Sequence, residues 1–560
     1  MIERKIRQFD NLLYLSIFSI NSLIIFLYHF LWQKQSILHW GNVPVIPLIQ
    51  RLQDNNFLPL DNYLSGASDS PNIIYAQLVN YLSAINQDIF TTLFFIKLFY
   101  IFFIPVLTLK FCFILIERYN QINPISETLV SFQKVMMFLM VLCLTNFKNL
   151  HVVLGFLLDS LNLGNFSFDS FFMPFGWENI LASSFIAPST FAYGLGIVFN
   201  ILYLQANEKF KLLAAILLFV VTLLHPVLGL AHFAIGCIFA LSLSFNYGTL
   251  VNIFKYFLIA VASPIIILIL NFGSQGNIDA TDFIDAYVFL RHPHHYNMSM
   301  IFGWGSLLWL IIMASNIFLA IHIKSRHLLV LNVLIFIFMS LSAITQYLGT
   351  EVFKSLTIAE LGPSRFTQYL IFLSTIGSIM LTTKFLSVRM NNFLGLVNKH
   401  TPKIKNSSLL FFFTAIFFVS FAFLDSQKFD EYSERDKSLI SWLSENTNNN
   451  DVIFIPHEDN LAFNYYVSFI VRIFAERTIW VDLGYPFNHD ATKEWSKKYN
   501  LYESFYLDGN DNKIFCSEYA GEINYIILKA NSEYIDLNTA LFSSDYWNVF
   551  SSKSAEEKLC

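Results

Sequence analysis

Long apolar runs, separated by short polar or turn-forming stretches, dominate residues 1–425. Runs such as FLIAVASPIIILIL (257–270) and MIFGWGSLLWLII (300–312) lack the strict alternation of a half-buried strand and the polar stripe of a soluble helix. Roughly 17 to 25 such residues cross about 30 Å of hydrocarbon as a helix, which pairs its backbone polar groups internally. The pattern predicts spanning helices near 11–31, 90–116, 131–146, 189–206, 210–224, 227–245, 251–271, 300–322, 327–346, 366–385 and 407–425, which makes eleven. Continuous rather than alternating runs exclude a β-barrel. LLHPVLGL (223–230) interrupts two runs and fits either a kink or a hairpin. The first run follows the basic MIERKIR, is too long for a signal-peptide core and has no small-x-small site after it, so it reads as a retained anchor.

Beyond residue 425 the pattern changes. DVIFIP, TIWVDL, NYIILK and WNVFSS read as short strands, and DEYSERDKSLISWLSEN and HDATKEWSKKYN as helices. A small α/β domain over 426–560 is the expectation, with the asparagines of NTNNND (446–451) turning from a helix into a strand.

Composition agrees: 55 % of the 560 residues are hydrophobic, 13 % are charged, and mean hydropathy is +0.52. An odd number of spans puts the two ends on opposite sides, and Lys/Arg bias sets the direction. Inner segments would hold Arg4, Lys5, Arg7, Arg118, Lys134, Lys209, Lys211, Lys255, Lys324, Arg326, Lys384, Arg389, Lys399, Lys403 and Lys405, against Lys34, Arg51, Lys148, Arg291 and Lys354 outside, with Arg365 at a rim. The amino terminus is then cytoplasmic and residues 426–560 extracytoplasmic. That tail carries 22 acidic and 12 basic residues, a net charge of −10, which argues against nucleic acid as a partner. Cys112, Cys143 and Cys237 fall in apolar runs as small buried hydrophobes, while Cys516 and Cys560 could pair in an oxidising compartment, and no zinc-type spacing occurs.

On this topology the outer side collects the chemistry. The first loop, 32–89, is long and rich in turn formers, and holds His39, Asn42, Asp54, Asp61 and Asp69. The break contributes His225. The loop 272–299 brings Asp279, Asp282, Asp285 and RHPHHY (291–296), with Arg291, His294 and His295, and 347–364 brings Glu351 and Glu360 before Arg365. Interfacial histidines and solvated loop carboxylates are the plain readings of these residues. A divalent ion held by the imidazoles with Asp61 or Asp282 is a sharper one, although no HExxH-type spacing supports it. Arg365 follows Leu-Gly-Pro-Ser at a helix start, where the macrodipole disfavours a cation and an anion nearby would relieve it. A carboxylate facing arginine and histidine donors suits sugar transfer from a lipid phosphate: the first deprotonates an acceptor hydroxyl and the second stabilise the departing phosphate.

The order of parts, a basic start, one helix, a long Asp-containing outer loop, further helices and an outer α/β domain, resembles the GT-C superfamily of polyprenyl-phosphate-sugar-dependent membrane glycosyltransferases. Three pieces, LLHPVLGL, RHPHHY and LGPSRFTQY (361–369), resemble more narrowly a family of uncharacterised bacterial multi-pass proteins with an Arg-x-Pro-His-His signature. VRIFAERTIWVDLGYPFNHDATKEW (471–495) is similar to that family's outer domain; Arg472, Glu476 and Arg477 are its most interesting charges if it docks over the cavity, and ordinary surface ion pairs are their plain reading.

The resemblance implies a bacterial inner-membrane transferase with Asp61, or else Asp54, as base. Arg291, His294, His295, Arg365 and His225 would be phosphate-side donors. The adjacent acidic pair of several GT-C groups is missing from the first loop and no DxD occurs there, so the expected chemistry needs no metal and no cofactor. The expected partners are a polyprenyl-phosphate-linked sugar and membrane lipid. A transporter or flippase and a non-catalytic scaffold are the competing classes. Against transport, the apolar runs hold few ionisable residues and show no paired broken helices.

Overall fold

The computed structural model describes residues 2–31, 45–145, 188–270, 279–291, 304–389 and 433–554, apart from 65–66, 68–69, 71, 87, 206–208, 457–458, 461–464, 483, 485–489, 507–518 and 531–538. The chain divides into two compact units. One comprises Met1–Trp32, Ile96–Ile269 and Pro293–Lys428, the other Gln33–Phe95, Leu270–His292 and Phe429–Cys560.

The first unit is helical. Its elements are α1 (Ile2–Leu31), most of α4 (Ile89–Ile122), α5 (Glu127–Thr145), α6 (Pro188–Leu204), α7 (Lys209–Leu224), α8 (Pro226–Leu243), α9 (Tyr247–Leu270), α11 (Trp304–His322), α12 (Arg326–Tyr347), α13 (Leu356–Leu361) and α14 (Leu370–Arg389). Every predicted run coincides with a helix except 407–425, which lies outside the described residues. By length and composition, four of the described helices could cross a membrane: Glu127–Thr145, Pro226–Leu243, Arg326–Val352 and Leu356–Val388.

The helical unit is apolar on its outward face as well as in its core. Phe254, Leu212, Phe318 and Leu341 are exposed, whereas Gln133, Lys134, Asn200, His232, Asn332 and Gln346 are buried. Gln133, Lys134 and Asn200 bond Thr383, Asp10 and His232 on other helices, as polar groups do where hydrocarbon supplies no partner. Of the three cysteines expected inside, Cys112 is buried and Cys237 partly so, but Cys143 is exposed because its face of α5 points outward.

The LLHPVLGL break is a hairpin. His225 has extended backbone, Pro226 opens α8, and a Cβ on Gly229 would stand 2.5 Å from the Thr222 Cα. Seven residues of continuous helix would separate these positions by about 10 Å, so the chain turns back within a single residue.

The second unit gathers three distant segments. Its sheet runs β4-β1-β5-β7-β6, with β1 (Val452–Phe454) parallel to β4 (Thr478–Ile479) and β5 (Tyr525–Lys529), and β7 (Trp547–Ser551) antiparallel to β5 and to β6 (Phe542–Ser543). All four strands read from the sequence form, as do α15 (Glu434–Asn446) and α17 (Asp490–Tyr506); β6 and the antiparallel pair β2 (Asp459–Asn460) and β3 (Tyr465–Tyr466) are additional.

Phe454, Trp480, Trp495, Tyr502 and Phe550 centre the core of this unit. Ala286 and Leu290, from the π-helical turn Asp285–Arg291 that follows α10 (Ala280–Ile284), pack into the same core. From the first loop come α2 (Val45–Gln53) and α3 (Ile73–Asn86); Gln50 Nε2 donates to the Ile473 carbonyl at 3.2 Å, and Phe90 stacks on Phe474 at 5.5 Å.

Candidate functional site

In the second unit the first-loop carboxylate meets the arginine of the carboxyl-terminal segment. Asp61 opens a short 3-10 turn, Asn62–Leu64, and its Oδ1 accepts the Tyr63 N–H at 2.9 Å. Its Oδ2 accepts from Arg472 Nε at 2.8 Å and from the Ile479 N–H at 3.1 Å. Arg472 spends its other face on Asp482, with Nη1 donating to Oδ2 at 2.6 Å and Nη2 to Oδ1 at 3.1 Å, while the Gly484 N–H also reaches Asp482 Oδ1 at 2.7 Å.

All three side chains are buried. The guanidinium lies 5.3 Å from the Tyr63 ring centroid and 5.1 Å from that of Phe469. Burial disfavours its charge, but Asp482 and then Asp61 outweigh that and raise the Arg472 pKa. A bidentate pair plus a second carboxylate leaves one excess negative charge, which the backbone N–H groups of Tyr63, Ile479 and Gly484 compensate.

Asp61, expected as a solvent-facing base, is therefore sealed, with both oxygens used. The expectation of surface ion pairs for Arg472 and Arg477 is likewise corrected, since both are buried. Arg477 holds the carboxyl-terminal end of α15, donating to the carbonyls of Leu443 at 3.2 Å, Ser444 at 3.2 Å and Thr447 at 2.7 Å. A cation suits that negative helix end, and Glu476 alone of the three is exposed.

Asp54 sits in an exposed turn, its Oδ1 accepting the Asn56 N–H at 2.9 Å. Asp282, considered as a metal ligand, instead pairs with Lys493 at 3.0 Å on the surface. Asp279 caps α10 through the Thr281 N–H at 2.7 Å, and that bond holds its carboxyl below the usual range. Arg291 ends the π-helical turn, whereas His294 and His295 lie outside the described residues. Among the described residues no three His, Cys, Asp or Glu side chains gather as a metal site.

The first unit brings together two of the expected phosphate-side residues. His225 caps α8, its Nδ1 accepting the Leu228 N–H at 3.4 Å. Burial, and then the positive charge of Arg365, push its pKa down to about 3. Neutral imidazole with Nδ1 accepting carries its proton on Nε2 and is a donor there.

Arg365 is half-buried in the 3-10 turn Pro363–Tyr369, in the helix-start position expected for it. Beside it, Ser364 Oγ donates to Gln346 Oε1 at 3.2 Å, while the buried Gln346 Nε2 has no acceptor among the described residues. Sequence reasoning passed over Gln346 because its helix reads as uniformly apolar; one amide in the stretch FIFMSLSAITQY was the available signal.

Deeper in the same unit, His232 Nδ1 meets Asn200 Nδ2 at 3.0 Å and its Nε2 meets the Tyr369 hydroxyl at 3.0 Å. Asn200 Nδ2 also donates to the Gly196 carbonyl at 3.1 Å, so the amide is the donor to His232 and the imidazole proton rests on Nε2, facing Tyr369.

Fold and site together define a class: a helical protein with several membrane-length apolar helices and a small mixed-sheet unit clasped by a buried arginine. No protein-family model matches the chain, and no curated protein does.

Proposed function

We propose that the protein is a membrane glycosyltransferase that moves a sugar from a polyprenyl-phosphate-linked donor to an acceptor on the outer face. In this reading about eleven GT-C-like spans place the amino terminus in the cytoplasm and the carboxyl-terminal unit outside a bacterial inner membrane. The observation that carries it is the donor corner of the helical unit, where neutral His225 lies within electrostatic reach of Arg365 and the buried Gln346 amide lacks an acceptor. A phosphate oxyanion satisfies all three chemistries.

In the proposed reaction an acceptor hydroxyl loses its proton to a carboxylate and attacks the anomeric carbon. The bond from that carbon to the phosphate oxygen breaks, and polyprenyl phosphate leaves with the bonding pair. Arg365, Gln346 and the His225 Nε2–H stabilise that leaving charge. Of the two candidate first-loop acids, Asp54 keeps a solvent-facing carboxylate free to act as a base, whereas both oxygens of Asp61 are bonded. The test is purified full-length protein with a panel of polyprenyl-phospho-sugars. Turnover of one donor, lost in Arg365→Ala, supports the reading; no binding and no turnover across the panel refutes it.

Transport of an anionic or lipid-linked substrate is the second reading. It is favoured by His232, an ionisable side chain buried within α8 and bonded on both ring nitrogens. Flux in liposomes without chemical conversion of the substrate, lost in His232→Phe, would select it.

A further inference from the structure

A shallow, half-open cleft, with enclosed room of about 10 Å³, lies at the end of the helical unit where α4 stops, α5 and α12 begin, and α14 stops. Tyr119, Asn120, Asn123, Gln133 and Lys384 supply its polar lining, and no carboxylate is among the lining residues.

Most of these groups are already engaged. Asn120 Nδ2 donates to Gln133 Oε1 at 2.9 Å, Gln133 Nε2 donates to Thr383 Oγ1 at 2.5 Å, and the Tyr119 hydroxyl bonds Ser242. Two donors are left over. Among the described residues, the Asn123 Nδ2 atom is buried without an acceptor and the Lys384 ammonium forms no ion pair. Nearby Lys134 behaves in the opposite way, closing on both oxygens of Asp10 at 2.7 Å.

Two helices end and two begin around the cleft, so their terminal partial charges largely cancel and the side-chain donors decide its preference. A pocket that offers an unpaired ammonium and an unsatisfied amide N–H, with no acidic group of its own, complements an oxyanion.

We infer that this cleft binds a phosphate oxyanion, presented by an anionic phospholipid headgroup or as free phosphate. Its place at the helix ends, in the last turn of α4 and near the end of α14, puts it at headgroup depth. Basic pockets between membrane helices recognise lipid phosphate there. On the topology proposed above, this end faces the cytoplasm. The inference is independent of glycosyl transfer.

The test uses the full-length protein in micelles and three probes: short-chain phosphatidic acid, the corresponding phosphate-free diacylglycerol, and inorganic phosphate. Affinity is read by native mass spectrometry and by the ligand-induced rise in melting temperature. Phosphatidic acid is expected to bind at least about tenfold more tightly than diacylglycerol, and Lys384→Gln to weaken it about tenfold, the scale of one charge-assisted contact. Lys384→Arg should retain binding, and Asn123→Leu should weaken it several-fold with the charge intact. Equal affinity for inorganic phosphate supports the oxyanion site and assigns it to the free anion; weak binding of inorganic phosphate assigns it to lipid. Equal binding of diacylglycerol, or unchanged affinity for phosphatidic acid in both Lys384→Gln and Asn123→Leu, overturns the inference.

Discussion

Replacing Arg472 by methionine isolates the electrostatics of the clasp, because a methionine of similar length fills the space between the Tyr63 and Phe469 rings while removing the charge. In the native unit Arg472 donates one bond to Asp61 and two to Asp482, all away from solvent. Without it, two buried carboxylates face each other with only backbone donors. Breaking a buried ion pair from one side costs about 3–5 kcal/mol, and here two acids lose one cation, so the upper half of that range is expected. For a unit of roughly 200 residues this lowers the melting temperature by about 8–20 °C. Asp61→Asn is the instructive comparison. It leaves Arg472 paired one-to-one with Asp482 and removes the excess negative charge, so only a misplaced amide donor remains, at about 1–3 kcal/mol. Tryptophan fluorescence follows the transition directly, since Trp480, Trp495 and Trp547 are buried in this unit. The required order is Arg472→Met well below Asp61→Asn, and Asp61→Asn below the native protein. If Arg472→Met melts within about 2 °C of the native protein, or above Asp61→Asn, the clasp does not hold the unit together as argued.

Four further outcomes follow from other contacts. Gly484→Ala would set a Cβ 2.7 Å from Asp482 Oδ1 and 2.9 Å from Tyr63 Cδ2, and should destabilise the same unit by about 1–3 kcal/mol in thermal melts. Trp547→Phe deletes the bond from Nε1 to the buried Asp436 Oδ1, 2.9 Å long, and should lower stability by about 1–3 kcal/mol in the same assay, with Asp436→Asn largely non-additive to it. Because the folded pKa of His225 lies below its unfolded value, the unfolded chain takes up the proton first. Stability contributed by neutral His225 is present above about pH 6.5 and is lost as pH falls towards 3, by at most about 1 kcal/mol per unit for a half-buried ring; His225→Asn should flatten that slope in pH-dependent melts. On the proposed chemistry, Arg365→Ala should reduce kcat/KM about 10²- to 10³-fold with any accepted donor, while Arg365→Lys recovers part of it; equal rates for all three would remove Arg365 from the phosphate end.

What the sequence could and could not disclose divides along a physical line. Apolar runs and short β-rich stretches are local, so helices α1, α4 to α9, α11, α12 and α14 and strands β1, β4, β5 and β7 were readable from neighbouring residues alone, whereas α2, α3, α10 and α13 lie in segments that read as loops. The clasp was not. Asp61 and Arg472 were both conspicuous, but 411 positions separate them, and neither periodicity nor charge pattern indicates that one neutralises the other. A carboxylate in a turn-rich loop looks the same whether it faces water or a guanidinium, and only burial distinguishes a base from a brace. The same limit explains Gln346 and Asn123, amides in or beside apolar helices whose unsatisfied donors become visible only when the neighbouring helices are in place. Where a polar atom is buried without a partner, folding has already borne the desolvation penalty, and an oxyanion that meets it recovers part of that free energy as affinity. That argument applies equally to the Gln346 corner and the Lys384 cleft. Binding measured at the one with the other mutated therefore separates two anion sites from a general attraction of this chain for phosphate.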